Sequence, residues 1–223
     1  VYIVATQSHD DATDEYSYSC TLSRVDAQGQ QDLTFGVDGV AEVPDGFSAP
    51  EEMNFVGQDG NFYFEKWNDA VVDGDAAHLS IRRLDENGAL DTSFVAVVPA
   101  GFYSAEVTAD GSLIAQDWDY EAQEFMRFTS SGELDTAFGD QGVLQLSASS
   151  AWVNQDGSIL AQGYDATNNW STTLYDSHGV EVASGSSISH NWDSNLYVIV
   201  NNDDYVIADR CGTVFIPADR IEE

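Results

Sequence analysis

Short stretches of alternating apolar and polar residues flank Asp-Gly pairs along the chain, and this pattern predicts β-hairpins. Clear copies are NFVGQDGNFYF at 54–64, AEVTADGSLIA at 105–115 and WVNQDGSILAQ at 152–162. A degenerate copy, YVIVNNDDYVIA, lies at 197–208. The period of two places every second side chain on one face of a strand, and Asp-Gly suits a two-residue type I′ turn. We therefore expect paired antiparallel strands around each copy.

These hairpins recur at a nearly constant spacing. The aspartates at their turns are Asp59, Asp110, Asp156 and Asp203. They are separated by 51, 46 and 47 residues. A second set of landmarks, separated by 59, 44 and 47 residues, consists of Gly29, Gly88, Gly132 and Gly179. A period in the forties, with short strands and no helical periodicity, is typical of the blades of a β-propeller.

The repeat predicts an all-β fold in one domain, residues 1–223. In the clearest unit we expect strands at 105–108, 112–117, 125–129 and 143–146. Counting the equivalents of the second strand predicts five blades of up to four antiparallel strands. Their approximate bounds are 1–47, 48–100, 101–148, 149–187 and 188–223. The first blade lacks a first strand and the last ends without a full final pair, so we expect the termini to close the ring.

A second motif follows the third strand of three units. Its copies are RVDAQGQQDLTFGVDGV at 24–40, RLDENGALDTSF at 83–94 and RFTSSGELDTAFGDQGV at 127–143. These copies resemble the delta-sixty repeat, a propeller-forming repeat of secreted and surface-associated bacterial proteins. Gln31 stands where Leu is usual, Val95 stands where Gly is usual, and the copy at 174–185 has lost the Asp and the Phe. The resemblance implies a structural motif and no shared catalytic residues.

Each part of the motif has a structural interpretation. We expect Gly132 to provide a turn, Asp135 to accept backbone N–H groups in the loop, and Phe138 to fill the space between neighbouring blades. Three arginines recur at one position of the repeat, and they are Arg24, Arg83 and Arg127. We expect them to pair with loop carboxylates rather than with a ligand.

The net charge of the chain limits the classes of partner that it can bind. The sequence contains 39 Asp and Glu against 7 Lys and Arg, a net charge of -32. Such a surface repels nucleic acid and anionic lipid, and it attracts divalent cations or basic proteins. It is also typical of a protein adapted to a salty or marine habitat. No apolar run approaches the roughly 20 residues that span a bilayer, so we expect no membrane insertion.

The two cysteines bear on the cellular location of the protein. Cys20 and Cys211 lie near opposite ends, and beside so acidic a surface they favour one structural disulfide over two buried thiols. We expect this bridge to clasp the two ends of the ring. The chain begins at Val1, so we expect a processed protein or a piece of a longer one with flanking domains. The predicted location is extracellular or on the cell surface.

One face of the predicted disc combines aromatic and acidic loops. The connections after each second strand and those between blades emerge on the same side of a propeller. The aromatic residues predicted to form a ligand-binding face are Trp67, Tyr103, Trp118, Tyr120, Tyr164, Trp170 and Trp192. The carboxylates that could supply oxygen ligands to Ca²⁺ are Asp10, Asp11, Asp14, Asp69, Asp73, Asp75, Asp117 and Asp119.

Three functions are compatible with this face. The first is a non-catalytic binding or adhesion module that presents the acidic, aromatic loops to a glycan, a surface protein or a divalent cation. The second is a glycan-active enzyme with two carboxylates beside its substrate. The third is a spacer domain of a larger surface protein. The concentration of aromatic residues on one side favours the first of these.

Overall fold

A computed structural model describes residues 2–9, 18–44, 47, 56–57, 59–68, 76–117, 122–164, 170–185, 187–191, 196–201, 204–209 and 212–216. The regular elements of these ranges are antiparallel β-strands, as the alternating pattern predicts. In the same ranges no helix is long and apolar enough to cross a membrane. The chain divides into two compact units, residues 1–100 with 131–133 and residues 101–130 with 134–223.

The first unit contains two three-stranded sheets. One sheet consists of β1 (Tyr2–His9), β2 (Tyr18–Val25) and β3 (Val40–Glu42), paired in that order. The other consists of β4 (Phe62–Asn68), β5 (His78–Leu84) and β6 (Ala96–Pro99), also in order. An isolated bridge between Val56 and Phe62 lies beside β4, where a first strand would pair.

The second unit contains three four-stranded sheets of consecutive strands. The first of them is built from β7 (Phe102–Val107), β8 (Leu113–Asp117), β9 (Gln123–Phe128) and β10 (Val143–Leu146). The next is built from β11 (Ser150–Val153), β12 (Ile159–Tyr164), β13 (Trp170–Tyr175) and β14 (Glu181–Gly185). The last is built from β15 (Ser187–Asn191), β16 (Leu196–Asn201), β17 (Asp204–Asp209) and β18 (Gly212–Ile216).

The inward side chains of neighbouring sheets form the cores. In the first unit Phe35 and Phe62 meet edge to face with ring centroids 5.7 Å apart, beside Leu22 and Leu84. In the second unit a cluster includes Ile114 and Phe125 of one sheet and Ile159 of the next. Phe138 is fully buried in that cluster. The prediction that Phe138 fills the space between sheets is therefore confirmed.

The turns of the Asp-Gly hairpins differ from the predicted type. Gly111 has a φ of 79°, and among the described residues outside glycine only Asp38 and Gln141 have a positive φ. Asp110 thus lacks the conformation that a type I′ turn requires. The Thr108 amide donates to the Ser112 carbonyl, which makes a three-residue loop with its glycine in the left-handed region. The Asp110 side chain accepts the Ser112 amide at 3.0 Å, so aspartate serves as an acceptor here.

Type I′ turns occur instead inside the second motif. Asp38 and Gly39 have φ values of 53° and 88°, and the flanking residues Val37 and Val40 exchange both backbone hydrogen bonds. Gln141 and Gly142 repeat this geometry with φ values of 53° and 95°. These turns reverse the chain into β3 and β10.

The C-terminal hairpin occupies a different position from the one predicted. Asn201 pairs with Asp204, which joins β16 to β17. Because β15 precedes them, this hairpin connects the second and third strands of its sheet rather than the first and second. The last sheet consequently has four strands of its own, contrary to the prediction that it lacks a full final pair.

Candidate functional site

The recurrent arginines pair with aspartates eight residues further along the chain. Arg24 lies 2.8 Å from Asp32 and Arg83 lies 2.5 Å from Asp91, measured from guanidinium nitrogen to carboxylate oxygen. Arg127 makes a longer contact of 3.6 Å with Asp135 and a closer one of 3.0 Å with Asp110. The predicted pairing with loop carboxylates is confirmed for all three.

Each paired aspartate also organises its own loop. Asp91 accepts hydrogen bonds from the backbone amide and the hydroxyl of Ser93 at 3.0 and 2.6 Å. The Ser93 hydroxyl, followed by Arg83, lowers the pKa of Asp91 to about 2. Asp135 accepts the Ala137 amide at 3.1 Å, as predicted. The hydrogen bonds of both carboxylates to Ser93 and Ala137 thus lie within their own loops.

Two of the three arginines lie over the phenylalanines of their own copies of the motif. The guanidinium carbon of Arg24 is 5.0 Å from the ring centre of Phe35, and that of Arg83 is 4.4 Å from the ring centre of Phe94. A cation over an aromatic face is attracted by the ring's quadrupole. We name this assembly of Arg, Asp and Phe, with the residue after the Phe, the repeat corner.

The repeat corners of Phe35 and Phe138 each hold a later Asp-x-x-Gly turn of the chain, which we name the acceptor turn. Arg24 donates to the Glu86 carbonyl at 2.9 Å, and the Gly36 amide donates to the Asn87 carbonyl at 2.7 Å. In the second unit Arg127 donates to the Ser177 carbonyl. The Gly139 amide donates to the His178 carbonyl at 2.9 Å. The motif therefore links successive sheets, and its charged groups are used for that purpose.

A cleft of about 380 Å³ in the second unit provides a different kind of site. It lies over one face of the sheet β11–β14, beside the connection from β10 to β11. Its lining residues are Leu146, Ser147, Ala148, Ala161, Gln162, Gly163, Tyr164, Ser171, Thr173, Tyr175, Glu181, Ser184 and Gly185. This volume lies at the lower end of the range for small-molecule sites, about 300–1,000 Å³.

Small side chains on facing strands create the cleft. Gly163 pairs with Ser171, and Ala161 pairs with Thr173. A Cβ on Gly163 would lie 3.2 Å from the Cα of Ala148, so the connection from β10 passes directly over this glycine. Glycine in a strand interior often marks such a close approach of backbone. The cleft lies beside this crossing, where the facing strands carry small side chains.

The lining of the cleft is rich in hydroxyl groups. Ser171, Thr173 and Tyr175 alternate along β13 and are half-buried, and Thr173 pairs with Ser184 of β14. Glu181 pairs with Tyr175. Burial, and then the neighbouring Glu181 carboxylate, raise the pKa of the Tyr175 hydroxyl, which keeps it a neutral donor. The cleft therefore offers donors and acceptors to a polar ligand.

Tyr164 supplies an aromatic surface at the edge of the cleft. Its side chain is 63% exposed although it ends the otherwise buried strand β12. It was predicted to belong to the ligand-binding face. Trp170, another predicted member, pairs with Tyr164 in the strand register. Trp67 is the second-last residue of β4 in the first unit, and 43% of its surface is exposed.

The remaining predicted site residues that the structure describes do not line the cleft. Tyr103 lies in β7. The Asp117 carboxylate accepts the Glu124 amide at 2.8 Å and so helps to hold its own hairpin. Cys20 lies in β2 opposite Gln7. The predicted residues outside the described ranges are Trp118, Tyr120, Trp192, Cys211, Asp10, Asp11, Asp14, Asp69, Asp73, Asp75 and Asp119.

Of the predicted metal ligands, Asp117 lies within the described ranges. Within the described ranges, no group of three or more His, Cys, Asp or Glu side chains lies close enough to hold a metal ion. The hydroxyl residues Ser171, Thr173 and Ser184 were missed by the sequence reasoning. The stretch WSTTLY, in which hydroxyls occupy strand positions that apolar residues usually fill, was the signal that could have found two of them.

Comparisons with known proteins concern the fold. A profile for a domain of unknown function, DUF5122, described as a β-propeller, matches residues 70–94. A search of curated protein sequences finds no match. The β-propeller domain of the Trilobed protease from Pyrococcus furiosus is similar in structure, with a TM-score of 0.50 and 12% sequence identity. That likeness covers 96% of this chain and 67% of that one.

Two further solved structures show weaker likeness. The acylaminoacyl peptidase from Pyrococcus horikoshii aligns with a TM-score of 0.49 at 13% identity, covering 98% of this chain and 38% of that chain. TolB from Acinetobacter baumannii aligns with a TM-score of 0.35 at 15% identity, covering 93% of this chain and 52% of that chain. Together with the consecutive antiparallel sheets and the profile match, the Trilobed protease domain identifies the fold: the chain is a β-propeller.

Proposed function

We propose that this chain is a non-catalytic, extracellular binding module that takes a polyhydroxylated ligand, a glycan, in the cleft beside Tyr164. The observation that carries the proposal is the combination of a hydroxyl-lined cleft with an exposed aromatic ring at its edge. Sugars present alternating hydroxyl groups and apolar C–H faces. Serine and threonine hydroxyls both donate and accept hydrogen bonds, and a tyrosine ring packs against C–H groups.

The charge of the chain limits the ligand further. Glu181 adds a carboxylate to the cleft, and the whole sequence has a net charge of -32. Anionic glycans such as sulfated or sialylated chains would be repelled by this field. The proposed ligand is therefore a neutral or cationic saccharide. Glu181 would accept hydrogen bonds from its hydroxyl or amino groups.

The carboxylates of the cleft favour binding of a glycan over its hydrolysis. A hydrolase of the common type needs two carboxyl groups that flank the scissile bond. Among the described residues that line the cleft, Glu181 is the one carboxylate. Its partner in the strand register is Tyr175, a neutral group at physiological pH. This lining suits recognition of a sugar better than cleavage of its glycosidic bond.

A glycan array probed with the full chain tests the proposal. We expect signals on neutral or amino-sugar glycans that fall at least tenfold in Tyr164→Ala. Val182→Ala is the matched control, because Val182 is 51% exposed on the same sheet and does not line the cleft. Binding that is equal in all three proteins, or absent from every neutral and amino-sugar glycan, contradicts the proposal.

The remaining predictions are part of the same proposal. We propose that the five sheets are five blades, and their consecutive strand order supports that count. Calcium binding by the acidic loops is tested by thermal melting with calcium and with chelator at matched ionic strength. A ligand that binds only the folded state raises the midpoint. An equal midpoint with sodium alone would assign the acidic surface to salt adaptation.

A further inference from the structure

An extra residue in β14 brings a carboxylate to the wall of the cleft. Leu174 of β13 pairs with Ala183 of β14. A regular ladder would then pair Tyr175 with Val182, but the register shifts by one residue and Tyr175 pairs with Glu181 instead. A β-bulge of this kind re-aims a side chain, and bulges are over-represented beside active sites. The irregularity therefore decides which residue of β14 stands opposite Tyr175.

The shift also decides which side chain of β14 faces the cleft. Successive side chains of a strand point to opposite faces. Tyr175 thus lies on the face opposite to Leu174, which belongs to a separate buried cluster. Glu181 shares the face of Tyr175, and both residues line the cleft. Val182 is 51% exposed and does not line it. A regular strand would place this valine where the carboxylate stands.

Glu181 and Tyr175 form a negative end of the cleft. Burial, and then the Glu181 carboxylate, raise the pKa of the Tyr175 hydroxyl, so the two groups are close enough to interact. The neutral hydroxyl oxygen accepts a hydrogen bond, and the carboxylate supplies charge. Among the described residues that line the cleft there is no lysine or arginine to neutralise this carboxylate. This end of the cleft suits a cation with several N–H donors.

The carboxylate lies at one end of a row of hydroxyl groups. Ser171, Thr173 and Tyr175 occupy alternate positions of β13 and line the cleft. At about 3.4 Å per residue, the row from Ser171 to Tyr175 is about 14 Å long. This length exceeds a single sugar ring and suits an oligosaccharide that lies along β13.

We propose that Glu181 and Tyr175 form an ammonium subsite, and that the ligand of the cleft is an oligosaccharide with a free amino group on the sugar at this end. A protonated amine has three N–H donors, and the carboxylate and the hydroxyl oxygen would each accept one. Hydrogen bonds between ionised partners are stronger than neutral ones. The net charge of -32 also attracts such a ligand. The inference deepens the proposed function and rests on it.

An N-acetylated sugar fits the subsite less well. Its nitrogen belongs to a neutral amide, so the attraction to the Glu181 carboxylate is lost. Its acetyl group would also occupy the space between the carboxylate and the Tyr175 hydroxyl. A lysine side chain of a partner protein could offer the same ammonium group, but the hydroxyl row along β13 matches the hydroxyl groups of a sugar chain. The cleft should therefore distinguish free from acetylated amino sugars.

Isothermal titration with two matched oligosaccharides tests the subsite. One is a glucosamine oligomer, and the other is the N-acetylglucosamine oligomer of the same length. We expect the chain to bind the free amine about fivefold more tightly, the upper range for an ion pair that solvent reaches. Glu181→Gln keeps the size of the side chain and should abolish this preference while retaining affinity for the acetylated oligomer. Added sodium chloride should weaken the preference, because salt screens exposed charges.

Asp140→Asn is the matched control for the loss of one negative charge. Asp140 is an exposed carboxylate of the second unit that does not line the cleft, so this variant should keep the preference. The inference is overturned if the two oligomers bind equally, if the glucosamine oligomer does not bind, or if the preference persists in Glu181→Gln. Tighter binding of a lysine oligopeptide would also overturn it. The proposed function fails separately, when no neutral or amino-sugar glycan of the array is bound.

Discussion

Replacing Gly88 with alanine tests how tightly a repeat corner holds the next turn. Gly88 has a φ of 83°, and Gly29, its equivalent in the first repeat, has a φ of 78°. Alanine in this left-handed region costs roughly 1–2 kcal/mol at either position. Loss of unfolded-state entropy offsets about 0.4–1 kcal/mol of that cost. The backbone contributions are therefore nearly equal in the two variants, and they nearly cancel when the unfolding free energies of the variants are compared.

The steric terms of the two variants differ. A Cβ on Gly88 would lie 2.7 Å from the Cβ of Ala41 and 3.0 Å from Phe35, whereas no atom of the described residues lies within 4 Å of a Cβ on Gly29. Carbon atoms in contact are normally about 3.5–4.0 Å apart. Overpacking of a core costs typically about 1–3 kcal/mol. Gly88→Ala should thus lose about 1–3 kcal/mol more unfolding free energy than Gly29→Ala.

Urea unfolding followed by tryptophan fluorescence measures this difference. With a slope of about 1–3 kcal/mol per molar urea, the midpoint of Gly88→Ala should lie roughly 1 M below that of Gly29→Ala. Equal midpoints for the two variants would refute the account of the repeat corner, since they would mean that Phe35 and Ala41 do not press on the turn.

Three other expectations follow from the same contacts. Because the pKa of Asp91 is lowered to about 2 in the folded chain, its contribution to stability is complete above its ordinary pKa of 3.8 and disappears as the pH falls through about 2. The stability gap between the wild type and Asp91→Asn in urea titrations should therefore close at low pH; a gap independent of pH would contradict the pairing. Phe138→Ala should lower the free energy of unfolding by about 3–5 kcal/mol. Leu134→Ala, at a 41% exposed position of the same motif, should lower it by under about 1 kcal/mol. Thermal unfolding measures both changes. Thiol titration of the unfolded, unreduced chain should find no free thiol if Cys20 and Cys211 form the predicted bridge, and two thiols would exclude it.

The strands were largely predictable because their signal is local. In the clearest unit the pattern placed strands at 105–108, 112–117, 125–129 and 143–146, and the structure has them at Phe102–Val107, Leu113–Asp117, Gln123–Phe128 and Val143–Leu146. An alternating period between turn residues fixes which side chains face inward. Only the ends of the strands depend on what neighbouring chain segments do.

The turn types were not predictable from Asp-Gly pairs alone. The sequence contains such a pair at Asp110–Gly111 and another at Asp38–Gly39, but only the second forms a type I′ turn. At Asp110 the carboxylate accepts the hydroxyl of Thr108 at 2.6 Å and the amide of Ser112 at 3.0 Å. Those side-chain bonds favour the three-residue loop. The outcome depends on flanking residues rather than on the pair itself.

The cleft was missed because it arises from tertiary contacts. Its shape depends on the β10–β11 connection, which passes over Gly163. The whole of β11 separates this connection from Gly163 in the sequence. The sequence reasoning selected aromatic and acidic residues of the loops, and it therefore found Tyr164 but not the hydroxyls of β13. A glycine within a predicted strand, followed by a hydroxyl-rich strand, was the available indication.

Isothermal titration of a neutral oligosaccharide, chosen as the strongest signal on the glycan array, into the full chain tests the proposed function most directly. The account predicts saturable binding that weakens at least tenfold in Tyr164→Ala and in Thr173→Val, and that stays unchanged in Val182→Ala. Binding that is unaffected by both cleft variants, or that is lost equally in the Val182 control, would contradict the assignment of the cleft as the ligand site.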